Sequence, residues 1–177
     1  MTVRYEVGKG IVIACAVVCL SFFLLFTFHA TTPQQAQAKQ YLDGISEQAP
    51  FFGDEQEHMV DVKNVLDGAR IFSAIIIVLG LVAFERRTRF SSVFAGTVLI
   101  GLPLILVMLP WDVLFTQFHH IFFPQGNWIF AYNSEIIQTY PQSLFMWFAG
   151  IWAGICLLTG AALMKLWGNG NKKQIHN

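Results

Sequence analysis

The chain has 177 residues, 55% of them hydrophobic and only 12% charged, with a formal net charge of zero and a mean hydropathy of +0.53. A soluble domain carries roughly 25% charged residues, so this composition cannot coat a water-exposed globule. It points to an integral membrane protein and offers no basic surface for nucleic acid.

Four apolar runs predict a single all-α membrane domain over 1–177, a four-transmembrane-helix bundle with spans at about 10–29, 68–85, 91–110 and 143–166. The first run resembles a secretory leader, with Arg4 and Lys9 ahead of it. Its apolar core is long, and Phe22 to Phe28 continue it where a small-residue cleavage site belongs, so it is read as a retained helix. The outer loops then cover 30–67 and 111–142.

The first loop opens with TTPQQAQAKQ, polar and only weakly helical by composition. Pro50 and Gly53 punctuate the remainder of the loop, and Asp54 reads as the N-cap of a helix that runs into the second span. On that helix His58, Asp61, Val62 and Val65 share a side, at i, i+3, i+4 and i+7. The second span is short for a crossing, so this helix is expected to carry it outward. It ends at Glu85-Arg86-Arg87. The third span contains Pro103.

The second loop contains FHHIFFPQGNWIF, Phe118 to Phe130. Its aromatic residues suit the membrane interface, and its phenylalanines are too apolar for a loop in water. The segment is expected to be a short interfacial helix, broken by Phe-Pro-Gln-Gly, folding back on the bundle. His119 and His120 are neighbours, about 100° apart on a helix, so one of them faces a shared site with ease. Ser134 in YNSE reads as a turn or N-cap residue.

Orientation follows from basic residues near the spans. Arg4 and Lys9, then Arg86, Arg87 and Arg89, then Lys165, Lys172 and Lys173 fall on one side of a four-span chain: eight of its eleven basic residues. That side is expected to be cytoplasmic and to hold both termini, with both loops facing outward. Cys15, Cys19 and Cys156 fall in spans, so no disulfide framework is indicated. His29 reads as an interfacial anchor and His176 as a solvated tail residue.

The chemistry available is therefore imidazole. No GxSxG, HExxH or outward-facing nucleophilic cysteine is present, which argues against an acyl-enzyme route and leaves no metal-ligand spacing. Asp61 can orient His58 or balance a nearby positive charge, and is equally an ordinary helix-surface acid. Asn127 is a turn former or an amide donor, and Trp128 most simply a belt residue. Histidines held among apolar walls suit acid–base work on a lipid headgroup or glyceryl ester. A haem site, a quinone site and a non-catalytic bundle, such as an assembly partner, stay open beside that use.

EQEHMVDVKNVL, FHHIFFPQGNWIF and IIQTYP together resemble the bacterial lipoprotein intramolecular transacylase family, four-span membrane proteins of Gram-positive bacteria. The resemblance covers nearly the whole chain. It implies an acyltransferase without cofactor or metal, in the cytoplasmic membrane of a bacterium with its active site on the extracytoplasmic side, with diacylglyceryl-modified lipoproteins as substrates, membrane lipid around it and no nucleic-acid partner. The alternatives beside it are a haem- or quinone-binding membrane redox protein and a non-catalytic partner of lipoprotein processing. The implied reaction moves the sn-2 acyl chain of the diacylglyceryl-cysteine to the α-amino group of that same cysteine, giving the lyso-form. The implied catalytic histidines are His58 in HMVDVK and His119 in FHHIFF, with His120 in reserve. Asp61, Asn127 and Trp128 are the expected substrate-binding or oxyanion-stabilising residues.

Overall fold

The computed structural model describes residues 3–28 and 30–168. His29, Lys172, Lys173 and His176 lie outside the described residues. Seven helices and no strand occur among the described residues: α1 Val3–Phe28, α2 Pro33–Leu42, α3 Asp54–Glu85, α4 Arg89–Val107, α5 Trp111–Phe122, α6 Glu135–Thr139 and α7 Gln142–Gly168. Four of them, α1, α3, α4 and α7, are long and apolar enough to cross a membrane. The chain divides into two compact units. One holds the described residues up to 26, with 72–108 and those from 150 onward; the other holds 27–71 and 109–149.

The first unit is built by close helix approach. Ile13, Ala14, Ala95, Leu99, Trp152, Cys156 and Leu163 form its core. Glycine lets the backbones meet, as is usual where lipid supplies no hydrophobic drive between helices. A Cβ on Gly80 would fall 2.1 Å from the Ala16 methyl, and one on Gly96 only 2.7 Å from the Gly160 carbonyl oxygen. At one end Lys9 pairs with Glu6 at 2.7 Å and donates to the Arg86 carbonyl at 3.0 Å, while Thr88 caps α4 and donates to Glu6. Phe72, Ile75, Val78, Leu81 and Val82 of α3 stay exposed, a surface suited to lipid.

The second unit packs Ala38, Tyr41, Ala49, Phe51, Met59 and Ile136 into a core of its own. The polar TTPQQAQAKQ stretch is firmer than its composition suggests, because Thr32 and Gln35 form a reciprocal capping box at the start of α2. Buried Gln35 also donates to the Thr139 carbonyl at 2.8 Å, which ties α2 to the end of α6. At the other end of α2, Arg70 donates to the Leu42 carbonyl at 2.7 Å and pairs with Asp43 at 2.6 Å, a cation at the negative helix terminus.

One local expectation is corrected. Asp54 is not the N-cap of α3 but its first helical residue. Gly53, left-handed at φ +57°, offers the carbonyl that accepts from the Glu57 N–H at 3.2 Å. Ser134 occupies the N-cap position of α6 as expected, though its side chain makes no cap bond. The Glu55 carboxylate serves instead, accepting from the Glu135 and Ile136 N–H groups at 3.1 Å each.

Candidate active site

The second unit gathers the candidate residues. α3 presents His58 just after its first turn, before the apolar stretch 71–84 and so outside the spanning segment. α5 ends where Pro124 forbids continuation, and its last turn carries His119. The chain then turns through Gly126, at φ +83°, and brings back Asn127 and Trp128.

The His58 and His119 rings stack with centroids 6.2 Å apart. Phe123 and Phe130 stand edge-on to His58, at 4.8 and 5.6 Å. Phe115, Trp128 and Phe118 surround His119, at 4.0, 4.8 and 5.4 Å. His58 is only 6% exposed, His119 is half-buried, and His120 is exposed with its ring edge-on to Trp128. The two neighbouring histidines thus diverge, as their helical offset requires.

This aromatic enclosure sets the protonation state. Burial pushes His58 below the ordinary histidine value. Asn127 beside it counters that push, the nearby His119 adds to it, and the Asp61 charge counters it weakly. Burial likewise lowers His119, against the hydrogen bond to Phe115 and helped by His120. Both rings are therefore neutral near neutral pH, which is what a base must be. His119 Nδ1 lies 2.8 Å from the Phe115 carbonyl oxygen. A carbonyl only accepts, so Nδ1 carries the proton and Nε2 keeps the lone pair.

Asp61 reaches His58 only as a charge. Its Oδ2 instead accepts from the Gln125 side-chain amide at 2.7 Å and from Asn127 Nδ2 at 2.6 Å. Neither bond was legible in the sequence, since each joins residues more than sixty positions apart. Trp128 Nε1 is buried without a hydrogen-bond partner, so an indole N–H beside His119 lacks an acceptor. The Tyr140 hydroxyl, pushed up to about 12 by burial, stays a neutral phenol and is no candidate base. No three His, Cys, Asp or Glu side chains gather as a metal site among the described residues.

Such a site can accept protons at two imidazoles and donate one hydrogen bond to a developing oxyanion. Comparison with known proteins supplies the family. Residues 34–145, more than half of the chain, match the family model described as lipoprotein intramolecular transacylase Lit. Among solved structures, the chain is similar to the in meso structure of the membrane integral lipoprotein intramolecular transacylase Lit from Bacillus cereus. The TM-score is 0.76 at 19% identity, covering 98% of each chain. Two further structures of that protein, one with a histidine changed to arginine and one with a histidine changed to alanine, each give a TM-score of 0.72 at 17% identity. They cover 98% of this chain and 94% and 96% of theirs. No curated protein matches. The likeness in structure extends to the fold, and with four apolar helices the chain is a multi-pass membrane protein. From the match across α2 to the start of α7, the chain belongs to the lipoprotein intramolecular transacylase family, and is an acyltransferase.

Proposed function

We propose that His58 and His119 catalyse intramolecular acyl transfer on a mature bacterial lipoprotein. The acyl chain leaves the sn-2 oxygen of the diacylglyceryl-cysteine and joins the α-amino nitrogen of the same residue, giving an N-acyl, S-monoacylglyceryl product. The observation that carries this reading is the pair of stacked, neutral-leaning imidazoles 6.2 Å apart inside an aromatic enclosure.

An α-ammonium with an ordinary pKa of about 7.7–8.0 must lose a proton before it can attack. After attack, the new N–C bond leaves a second proton on nitrogen. That proton ends on the glyceryl oxygen as the C–O bond breaks, and the first goes to solvent. Two imidazoles with open lone pairs serve two proton removals, and either ring can take the first. The Trp128 indole N–H and the second amide hydrogen of Asn127 are donors for the tetrahedral oxyanion, with Asp61 holding Asn127 in place. Amine and ester arrive on one molecule, so proximity comes with the substrate. The exposed phenylalanines Phe118 and Phe122 beside the site offer acyl chains an apolar bed. The site faces the extracytoplasmic side, where the basic-residue bias leaves the outer loops. The amine exists only after signal-peptide cleavage, so uncleaved prolipoprotein is not a substrate.

The test is mass spectrometry of a lipoprotein's N-terminal lipopeptide from a host without its own N-acylating enzymes. The wild-type chain should yield the lyso-form. His58→Ala and His119→Ala should lower its formation by roughly 10²- to 10⁴-fold, the usual share of general acid–base catalysis, at normal membrane levels. His120→Ala should keep the product. Unchanged substrate with the wild-type chain would sink the reaction, and full activity in either alanine variant would sink that histidine's role.

A further inference from the structure

Asn127 holds an orientation that only one arrangement of its amide allows. Its Nδ2 sits 2.6 Å from Asp61 Oδ2, an oxygen that also accepts from Gln125 at 2.7 Å. A carboxylate only accepts, so the amide end facing Asp61 is the NH₂. Oδ1 therefore points the other way, and it is buried without a partner. His58 Nδ1 is also buried without a partner, on a ring 6% exposed. Buried polar atoms are rarely left single. The two side chains share one enclosure, for Phe123 stands edge-on to His58 at 4.8 Å and the chain turns at Gly126 to bring back Asn127, and Asn127 holds His58 up against the effect of burial. Oδ1 can only accept, so they are complementary only when the proton of neutral His58 sits on Nδ1.

We infer that Asp61 and Asn127 are positioning residues that fix the tautomer of His58, Asp61 by locking the amide and Asn127 by presenting its oxygen to Nδ1–H. The consequence rests on the reading of His58 as a proton carrier. With Nδ1–H held, the lone pair lies on Nε2, as it does on His119, where the Phe115 carbonyl holds Nδ1–H. Two unrelated acceptors thus leave both rings with the same nitrogen open, which suits a reaction that takes two protons from one amine. Without Asp61 the amide is free to flip. Its NH₂ would then favour a lone pair on Nδ1 and would move the proton to Nε2, leaving that nitrogen unable to act as base.

Nitrogen chemical shifts of ¹⁵N-histidine-labelled protein, at a pH where the rings are neutral, report the tautomer directly and need no turnover. His58 is assigned by the signal lost in His58→Ala. The wild-type ring should carry its proton on Nδ1. Asp61→Asn, isosteric and no longer acceptor-only, should move a large part of the population to Nε2–H, and Asn127→Leu should do the same. Asp61→Glu, which keeps a carboxylate, should retain the Nδ1–H form. Asp61→Asn should also lower kcat roughly 10-fold or more, with KM nearly unchanged. A wild-type His58 protonated on Nε2 would overturn the inference, as would an Nδ1–H signal that persists in Asp61→Asn. Asp61→Asn alone decides the matter where Asn127→Leu does not accumulate. The two ideas separate cleanly: an active His58→Ala variant removes the catalytic reading and leaves the tautomer result standing, and the reverse pattern removes only the tautomer claim.

Discussion

Burial changes what an imidazole can do, and the direction of the change matters more here than its size. Both candidate rings are held below the ordinary histidine value of about 6.5 chiefly because their aromatic surroundings disfavour the charged form. A lowered value means the neutral, proton-accepting form survives to a lower pH than on a free histidine, and is lost only as pH falls through the lowered value. Titration of the ¹⁵N-labelled rings should therefore give midpoints below about 6.5 for His58 and His119. The enzyme-bound rate should stay level through that value and fall only under more acidic conditions. Midpoints at or above it would mean that a charge or hydrogen bond outweighs burial. In the proposed reaction the aromatic residues around the histidines would have two uses: they are greasy enough for acyl chains, and they hold the two imidazoles in the neutral form.

At the scale of elements, the second unit is held by bonds between segments far apart in sequence. α6 has only five residues, too few to be stable alone, and its N-terminal donors are met by Glu55 from α3. Glu55→Ala should cost about 0.5–2 kcal/mol, the usual cost of a lost cap, read as a fall in melting temperature of about 2–4 °C per kcal/mol for a chain of this size. Glu55→Gln, which keeps an acceptor oxygen without the charge, should fall between. An unchanged melting temperature in Glu55→Ala would show that water satisfies those donors equally well. This cap also marks the limit of legibility. The four apolar helices could be read from runs of about twenty apolar residues, because span length is a property of local sequence. The start of α3 was displaced by one residue because Asp54 and Gly53 compete for the same turn, and only the backbone decides between them. That α6 is capped by Glu55, and that Asp61 turns to Asn127, depends on long-range packing, which no local pattern encodes. The separation of His119 from His120 was partly legible, since helical geometry alone sends neighbours apart.

For the whole molecule, the remaining question is which way the chain faces, and charge is the argument. α3 has 32 residues, about 48 Å of helix against a hydrocarbon core of about 30 Å. A helix of that length has a polar part to spare, and five of its six acids, Asp54, Glu55, Glu57, Asp61 and Asp67, lie in its first half, the sixth being its last residue, Glu85. Its far end meets Arg86, Arg87 and Arg89 across a link of only three residues before α4 starts, so α3 and α4 run as neighbours in opposite directions. Basic residues near span ends are retained on the cytoplasmic side, while acids contribute little to orientation. The α3–α4 turn should therefore be cytoplasmic and the 43–49 segment extracytoplasmic. In a parent lacking Cys15, Cys19 and Cys156, Glu47→Cys and Glu85→Cys place single thiols at these two exposed positions without removing a basic residue. A membrane-impermeant maleimide applied to intact cells should label the first variant at once and the second only after permeabilisation. Each position sits on a segment continuous with the histidine-bearing half of α3 or with its opposite end, so the pattern fixes the direction of the helix that carries His58. The reversed pattern would turn that half toward the cytoplasm, away from exported lipoproteins, and the proposed substrate would have to be given up even if the acyl-transfer chemistry survived.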